Sequence, residues 1–146
     1  MPAIQHRRRT LFRLLKVPRG QDIEATIGNE VSIANVHWTP AGPRECTNAD
    51  GKTPCQHCAD KTASSPREII YATAYLPDDP RPWLLILSTI AVAWAKDTDD
   101  LTRSTLVLRR AHKNNLLRAT KLGPAARATP IAPLTEWIET LWGTRR

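Results

Sequence analysis

A mainly β fold finished by one amphipathic helix is what this sequence predicts, and three observations predict it. Short segments with period-two alternation recur through residue 122, separated by Gly, Pro and Asn turns. All three cysteines fall, with a histidine, inside one stretch, His37 to Cys58, which reads HWTPAGPRECTNADGKTPCQHC. Clear helical spacing appears at the end, where Leu134, Trp137, Ile138, Leu141 and Trp142 stand at i, i+3, i+4, i+7 and i+8.

Taken in order, residues 1–20 read as a basic arm that ends in a short strand, Leu11 to Leu15, before a Pro18–Gly20 turn. Asp22 to Ile27 alternates, Gly28-Asn29 is a tight-turn pair, and Val31 to Trp38 alternates again, which predicts a hairpin. Its second strand delivers His37 into the cysteine loop. Glu68 to Leu76 presents Ile70, Ala72, Ala74 and Leu76 on a core face and Ile69, Tyr71, Thr73 and Tyr75 on the other. Trp83 to Leu87 reads as a buried strand, and Ser88 as the cap of a short helix from Thr89 to about Lys96. Asp97 to Asp100 is a polar break. Thr105 to Arg110 and Leu116 to Lys121 are two closing strands joined by a turn at His112 to Asn115. The organisation is therefore an arm (1–20), a small barrel (21–122) carrying the loop 37–58, a Pro- and Ala-rich linker (123–133) and a helix (134–143) stopped by Gly143.

The loop carries the chemistry. Cys55 and Cys58 form a C-x2-C knuckle introduced by Gly51 and Pro54, and Cys46 and His37 lie upstream. Three thiolates and a neutral imidazole suit one structural Zn²⁺ per chain, in a closed tetrahedral site. A loop so rich in Gly, Pro, Asn and Thr has no core of its own, so without a staple its ordering would cost entropy and return little. His57 is a rival fourth ligand, but between two ligating cysteines it would have to point away, which favours His37. A redox C-x2-C would open a helix after a strand, and none is signalled here.

The net charge of +7 is unevenly spread. Arg7, Arg8, Arg9, Arg13 and Lys16 lie in an acid-free opening segment, and residues 17–100 are net acidic. Residues 101–135 hold Arg103, Arg109, Arg110, Lys113, Arg118, Lys121 and Arg127 with no acid. Such one-signed stretches point to a polyanionic partner. Tyr71 and Tyr75, two pleats apart on the non-core face, are candidate base platforms; Arg103, Arg109, Arg110, Lys113, Arg118 and Lys121, with Arg7, Arg8 and Arg9 of the arm, are candidate phosphate contacts. Trp38, Trp83 and Trp94 are expected in the core, and Trp137 and Trp142 to dock the last helix on the barrel or on a protein partner. The most apolar window, Trp83 to Ala95, is too short to span a bilayer, and no signal peptide is evident, so a cytoplasmic, non-membrane protein is expected. No nucleophile–base pair or phosphate loop suggests an enzyme.

The order of two early strands, a third, a fourth, a short helix and two closing strands is that of a small barrel of the oligonucleotide-binding type. With its His…Cys…Cys-x2-Cys loop after an early strand, the chain resembles the single-stranded-DNA-binding proteins of T-even phages over about residues 20–122. The ligand order matches at His37, Cys46, Cys55 and Cys58. The resemblance implies a structural zinc, sequence-tolerant binding of single-stranded nucleic acid with DNA favoured over RNA, and a phage or mobile-element setting. The tryptophan-rich terminal helix lies outside the pattern. The alternative reading is a zinc-stapled interaction subunit of a larger nucleoprotein or RNA complex.

Overall fold

A computed structural model describes residues 13–48, 51–111, 116–125 and 133–143. Six strands, β1 (Asp22–Thr39), β2 (Gly42–Glu45), β3 (Arg67–Tyr75), β4 (Trp83–Ser88), β5 (Ser104–Arg110) and β6 (Leu117–Pro124), precede one α-helix, α1 (Leu134–Trp142). They form one antiparallel sheet in the order β4-β3-β1-β5-β6, with β2 paired to the far end of β1. The mainly β expectation holds. The closed barrel does not: among the described residues β4 and β6 share no pairing, and the sheet stays open. A 3-10 turn, Thr89–Val92, packs against β3, β4 and β6.

The expected hairpin at Gly28-Asn29 is instead one continuous strand, β1, interrupted by a register shift between Ile27 and Val31. A two-residue hairpin turn needs positive φ, and Gly28 is not among the residues that adopt it. Gly28 serves close packing: a Cβ there would sit 2.3 Å from Thr73 Oγ1 on β3. The true early hairpin is shorter and later, β1 to β2, turning through Pro40 and Ala41 into Gly42 at φ 116°, a conformation that suits glycine. The expected helix from Thr89 to Lys96 reduces to the 3-10 turn, where Ser88 Oγ accepts the Ala91 N–H as the cap should. A second turn, Thr98–Asp100, is capped by Asp97. The linker shortens, since β6 runs on to Pro124; residues 126–132, the turn at 112–115 and the arm residues 1–12 lie outside the described residues.

β3 is buried on both faces. Its inner side chains, Ile70, Ala72 and Ala74, join Ala25, Ile27, Leu85, Leu87, Leu106 and Leu108 in the main core. On the outer side Ile69 and Tyr71, with Val36 and Leu84, make a second core under α1. The helix lies on its own sheet, with Leu134, Trp137, Ile138 and Trp142 buried, a gross burial of about 6–12 kcal/mol before ordering entropy. Trp142 meets Tyr71 edge-on at 5.9 Å and donates its indole N–H to Tyr71 Oη at 3.1 Å. Gly143, left-handed at φ 73°, caps the helix.

At the start of the described chain, Leu14 bridges Leu84 in parallel. This strap is held by Arg13, which pairs with Asp79 at 2.9 Å and lies 3.9 Å over the Trp83 ring; Trp83 Nε1 also donates to Asp79.

Candidate metal centre

His37 reaches the site from the last turn of pairing in β1, opposite Arg44 of β2, and is buried. Its Nδ1 lies 2.7 Å from the Ser64 carbonyl oxygen, which can only accept. The proton is therefore on Nδ1, and the Nε2 lone pair is left for a metal, the usual orienting arrangement for a ligating histidine. Cys46 follows β2 directly and is pinned by its N–H to Asn35 O at 2.7 Å. The knuckle closes with Cys58 N–H donating to Cys55 O at 3.2 Å.

These four side chains converge. His37 Nε2 lies 3.6 Å from Cys55 Sγ and 3.5 Å from Cys58 Sγ, Cys46 Sγ lies 3.6 Å from Cys58 Sγ, and all four ligand atoms fall within 4.8 Å of one another. A sulfur–sulfur separation of 3.6 Å is far beyond a disulfide bond, and all three cysteines are free. A tetrahedral ion with bonds of about 2.3 Å to sulfur and 2.0 Å to nitrogen needs ligand–ligand edges of about 3.5–3.8 Å. The closest contacts match those edges. His57, the rival ligand, stays outside the cluster, its ring centre 6.0 Å from that of His37 and its Nε2 beside Gln56.

The electrostatics suit a cation held among these ligands. Burial works against a Cys55 thiolate, but N–H groups of Thr47, Cys58 and His57 and the Thr47 side chain outweigh it and bring its pKa down to about 5. The Cys58 thiol is pushed up to about 11 by its contact with Cys46, then by burial and by Cys55. Crowded sulfurs cannot all ionise side by side, and a bound cation removes that conflict.

The other candidate residues divide. Tyr71 and Tyr75 are 1% and 2% exposed, so the reading of them as base platforms is corrected: α1 covers Tyr71, and burial raises the pKa of both phenols. The tryptophans reverse as well. Trp38 and Trp94, expected in the core, are 46% and 41% exposed, and Trp94 is fixed by its indole N–H to Ala119 O at 2.7 Å on β6. Trp83 is half-buried beneath Arg13.

Arg109 and Arg118 stand directly opposite each other on β5 and β6, both exposed. Asp22, the β1 neighbour of Arg109, bonds it at 3.1 Å, and Arg118 makes no side-chain bond among the described residues. Arg103 is exposed with a left-handed backbone, φ 53°. Lys121 reaches the Asp100 carbonyl, and Arg110 turns back to Val17 O, so it is less available than expected. Lys113, Arg7, Arg8 and Arg9 lie outside the described residues. No protein-family model, curated protein or solved structure matches the chain. Among the described residues, no helix is long and apolar enough to cross a membrane.

Proposed function

We propose that the chain is a zinc-stapled nucleic-acid-binding protein whose phosphate-tracking surface is the outer face of β5 and β6. One observation carries the reading: Arg109 and Arg118 face each other across an antiparallel pair, and among the described residues only Arg109 has a carboxylate partner, Asp22. Like charges directly opposite destabilise a sheet, and phosphate oxygens running along the pair would relieve that cost. Arg103, exposed just before β5, adds positive charge at the other end of the strand pair, whereas Lys121, paired with the core residue Leu106, lies on the opposite face. Zinc is favoured by the donor set: three thiolates and an imidazole at tetrahedral edges select a borderline-soft ion without redox chemistry. Trp94, 41% exposed and pinned to β6 through the carbonyl of Ala119, next to Arg118, is the stacking ring in place of the buried tyrosines. Single strands offer unpaired bases to such a ring and duplexes do not.

The test is a titration of zinc-loaded protein against single-stranded DNA, RNA and duplex DNA of one length over a range of salt. With three to four phosphates neutralised, the single-strand slope of log K against log salt should be about −2 to −3. Trp94→Ala should weaken single-strand binding by about 1–3 kcal/mol without changing the slope. Salt-independent or undetectable binding to all three would end the reading.

A further inference from the structure

A gap in the sheet has no role in phosphate binding. On the side of β1 away from β3, Gly28 O accepts the Arg103 N–H at 3.2 Å and Asn35 O accepts the Cys46 N–H at 2.7 Å. β5 pairs with β1 as far as Thr26 and β2 begins only at Val36. Between these points the side is unpaired among the described residues. Backbone groups alternate direction along a strand, so with Asn35 pointing to this side, Ile33 and Val31 point there too. Two residues thus present N–H and C=O groups to an open edge, in the middle of a strand rather than at the rim of the sheet.

The side chains around that edge complete a site. Ile33 is 44% exposed on the same face as its β3 partner Ile70. Beside it lies a cavity of about 290 Å³ whose floor is Ile70, Val92 and Leu101, all buried core residues. Its rim carries Glu68 and Asp97 against one cation, Lys96. Glu68 is exposed and makes no ion pair among the described residues, and Asp97 Oδ1 is engaged by the N–H groups of Asp99 and Asp100. An extended chain laid along Val31 to Ile33 places the side chain opposite Ile33 on the cavity face. Unpaired main-chain groups, an apolar hole on the correct face and an acidic rim are what recognition by strand addition requires: the backbone bonds give affinity and the pocket gives selectivity.

We propose that the free edge of β1 between Gly28 and Asn35 docks an extended peptide segment of another protein, with a large aliphatic side chain in the cavity and a lysine or arginine two positions away facing Glu68. This surface is independent of the β5–β6 track, so the chain can hold a polyanion on one side and a basic peptide on the other.

The probe is a capped peptide of about seven residues with leucine and lysine two positions apart on one face and threonine between them, titrated into the full-length, metal-loaded, ¹⁵N-labelled protein. Saturable shifts should map to Val31, Ser32, Ile33 and Glu68, with slowed amide exchange at Val31 and Ile33. The same peptide N-methylated at alternate residues loses its strand hydrogen bonds and should bind at least about tenfold more weakly. Ile33→Lys should cost a similar factor and Glu68→Lys roughly three- to tenfold. Both positions are solvent-accessible, and unchanged metal content and melting temperature verify that the variants fold. Shifts centred elsewhere, equal binding of the methylated peptide, or no saturable binding at millimolar peptide would overturn the proposal. Concentration-dependent protection of Val31 and Ile33 without peptide would also overturn it, since the occupant would then be a second copy of this chain.

Discussion

From Asp22 to Ile27, β1 runs beside β5 and sends Ala25 and Ile27 into a core shared with Leu106 and Leu108. From Val31 to Thr39 the same strand runs beside β3 and β2, ends on a metal-type ligand, and sends Val36 under α1. The first half is held by many interchangeable aliphatic contacts, each a small gain proportional to buried area. The second half borders a loop, 46–64, that buries almost nothing apart from Cys46. Four ligand atoms replace the missing core there. One strand therefore shows two ways of fixing a chain, and they differ in how they fail: an apolar core loses stability by degrees, whereas a metal site is lost all at once.

Removing the metal should test this contrast most severely. Were the proposed zinc held here, such sites being worth about 10–16 kcal/mol in small folding units at neutral pH, chelation should abolish amide protection through the loop and at Val36 and His37. Protection at Leu106 and Leu108 should survive. Hydrogen exchange by mass spectrometry, with and without chelator, reads both halves at once. Equal loss in the two halves, or loss in neither, would break the distinction.

The helix sharpens it. Trp137→Ala empties the second core and should cost about 3–5 kcal/mol, comparable with the largest costs expected for Leu106→Ala in the first. Trp137→Phe should be far milder. The Trp137 indole N–H is buried without a partner among the described residues, so its removal offsets part of the lost ring area. Denaturant midpoints of the three variants give the ranking, and a phenylalanine as damaging as alanine would show that the indole has a partner.

The charge on the first half is the next handle. Arg118→Ala should flatten the salt dependence of oligonucleotide binding by about 0.7 in log–log slope. Arg109→Ala should do less, because Asp22 already neutralises part of the Arg109 charge in the parent. Both variants should leave stability unchanged or improved, since each removes a like-charge pairing.

What could be read from the residues alone follows the range of the forces. The metal cluster was legible because C-x2-C and the preceding Cys46 and His37 lie within one short loop, where sequence spacing nearly fixes spatial spacing. Strand β3 was legible from its alternation, β4 from its short apolar run, and α1 from its apolar stripe. Gly28 misled because a glycine required for a turn and one required for close approach to Thr73 read alike. β2, four residues long, was signalled only by Pro40 and Gly42. The burial of Tyr71 was out of reach, because it depends on which face of β3 the helix covers. No local pattern encodes that choice.

The strap at Arg13 belongs to neither half, which makes it a control of small effect. Asp79 accepts the Arg81 N–H, outweighing the burial that opposes its charge, and Arg13 and Arg81 add to the shift; together they hold its carboxyl down at about 2 from an ordinary 3.8. A depressed folded-state pKa means that the unfolded chain binds more protons between those two values. The contribution of Asp79 is therefore fully present above about pH 4 and fades as pH falls through 2. Asp79→Asn should lower the melting temperature slightly at pH 6, and the two proteins should converge as the pH approaches 2. Because the strap bridges Leu14 to Leu84, next to both cores, exchange at Leu106 and at Val36 should respond together. A gap between variant and parent that stays constant down to pH 2 would mean the carboxylate charge is idle, and that Asp79 holds the strap by hydrogen bonds which asparagine fails to reproduce.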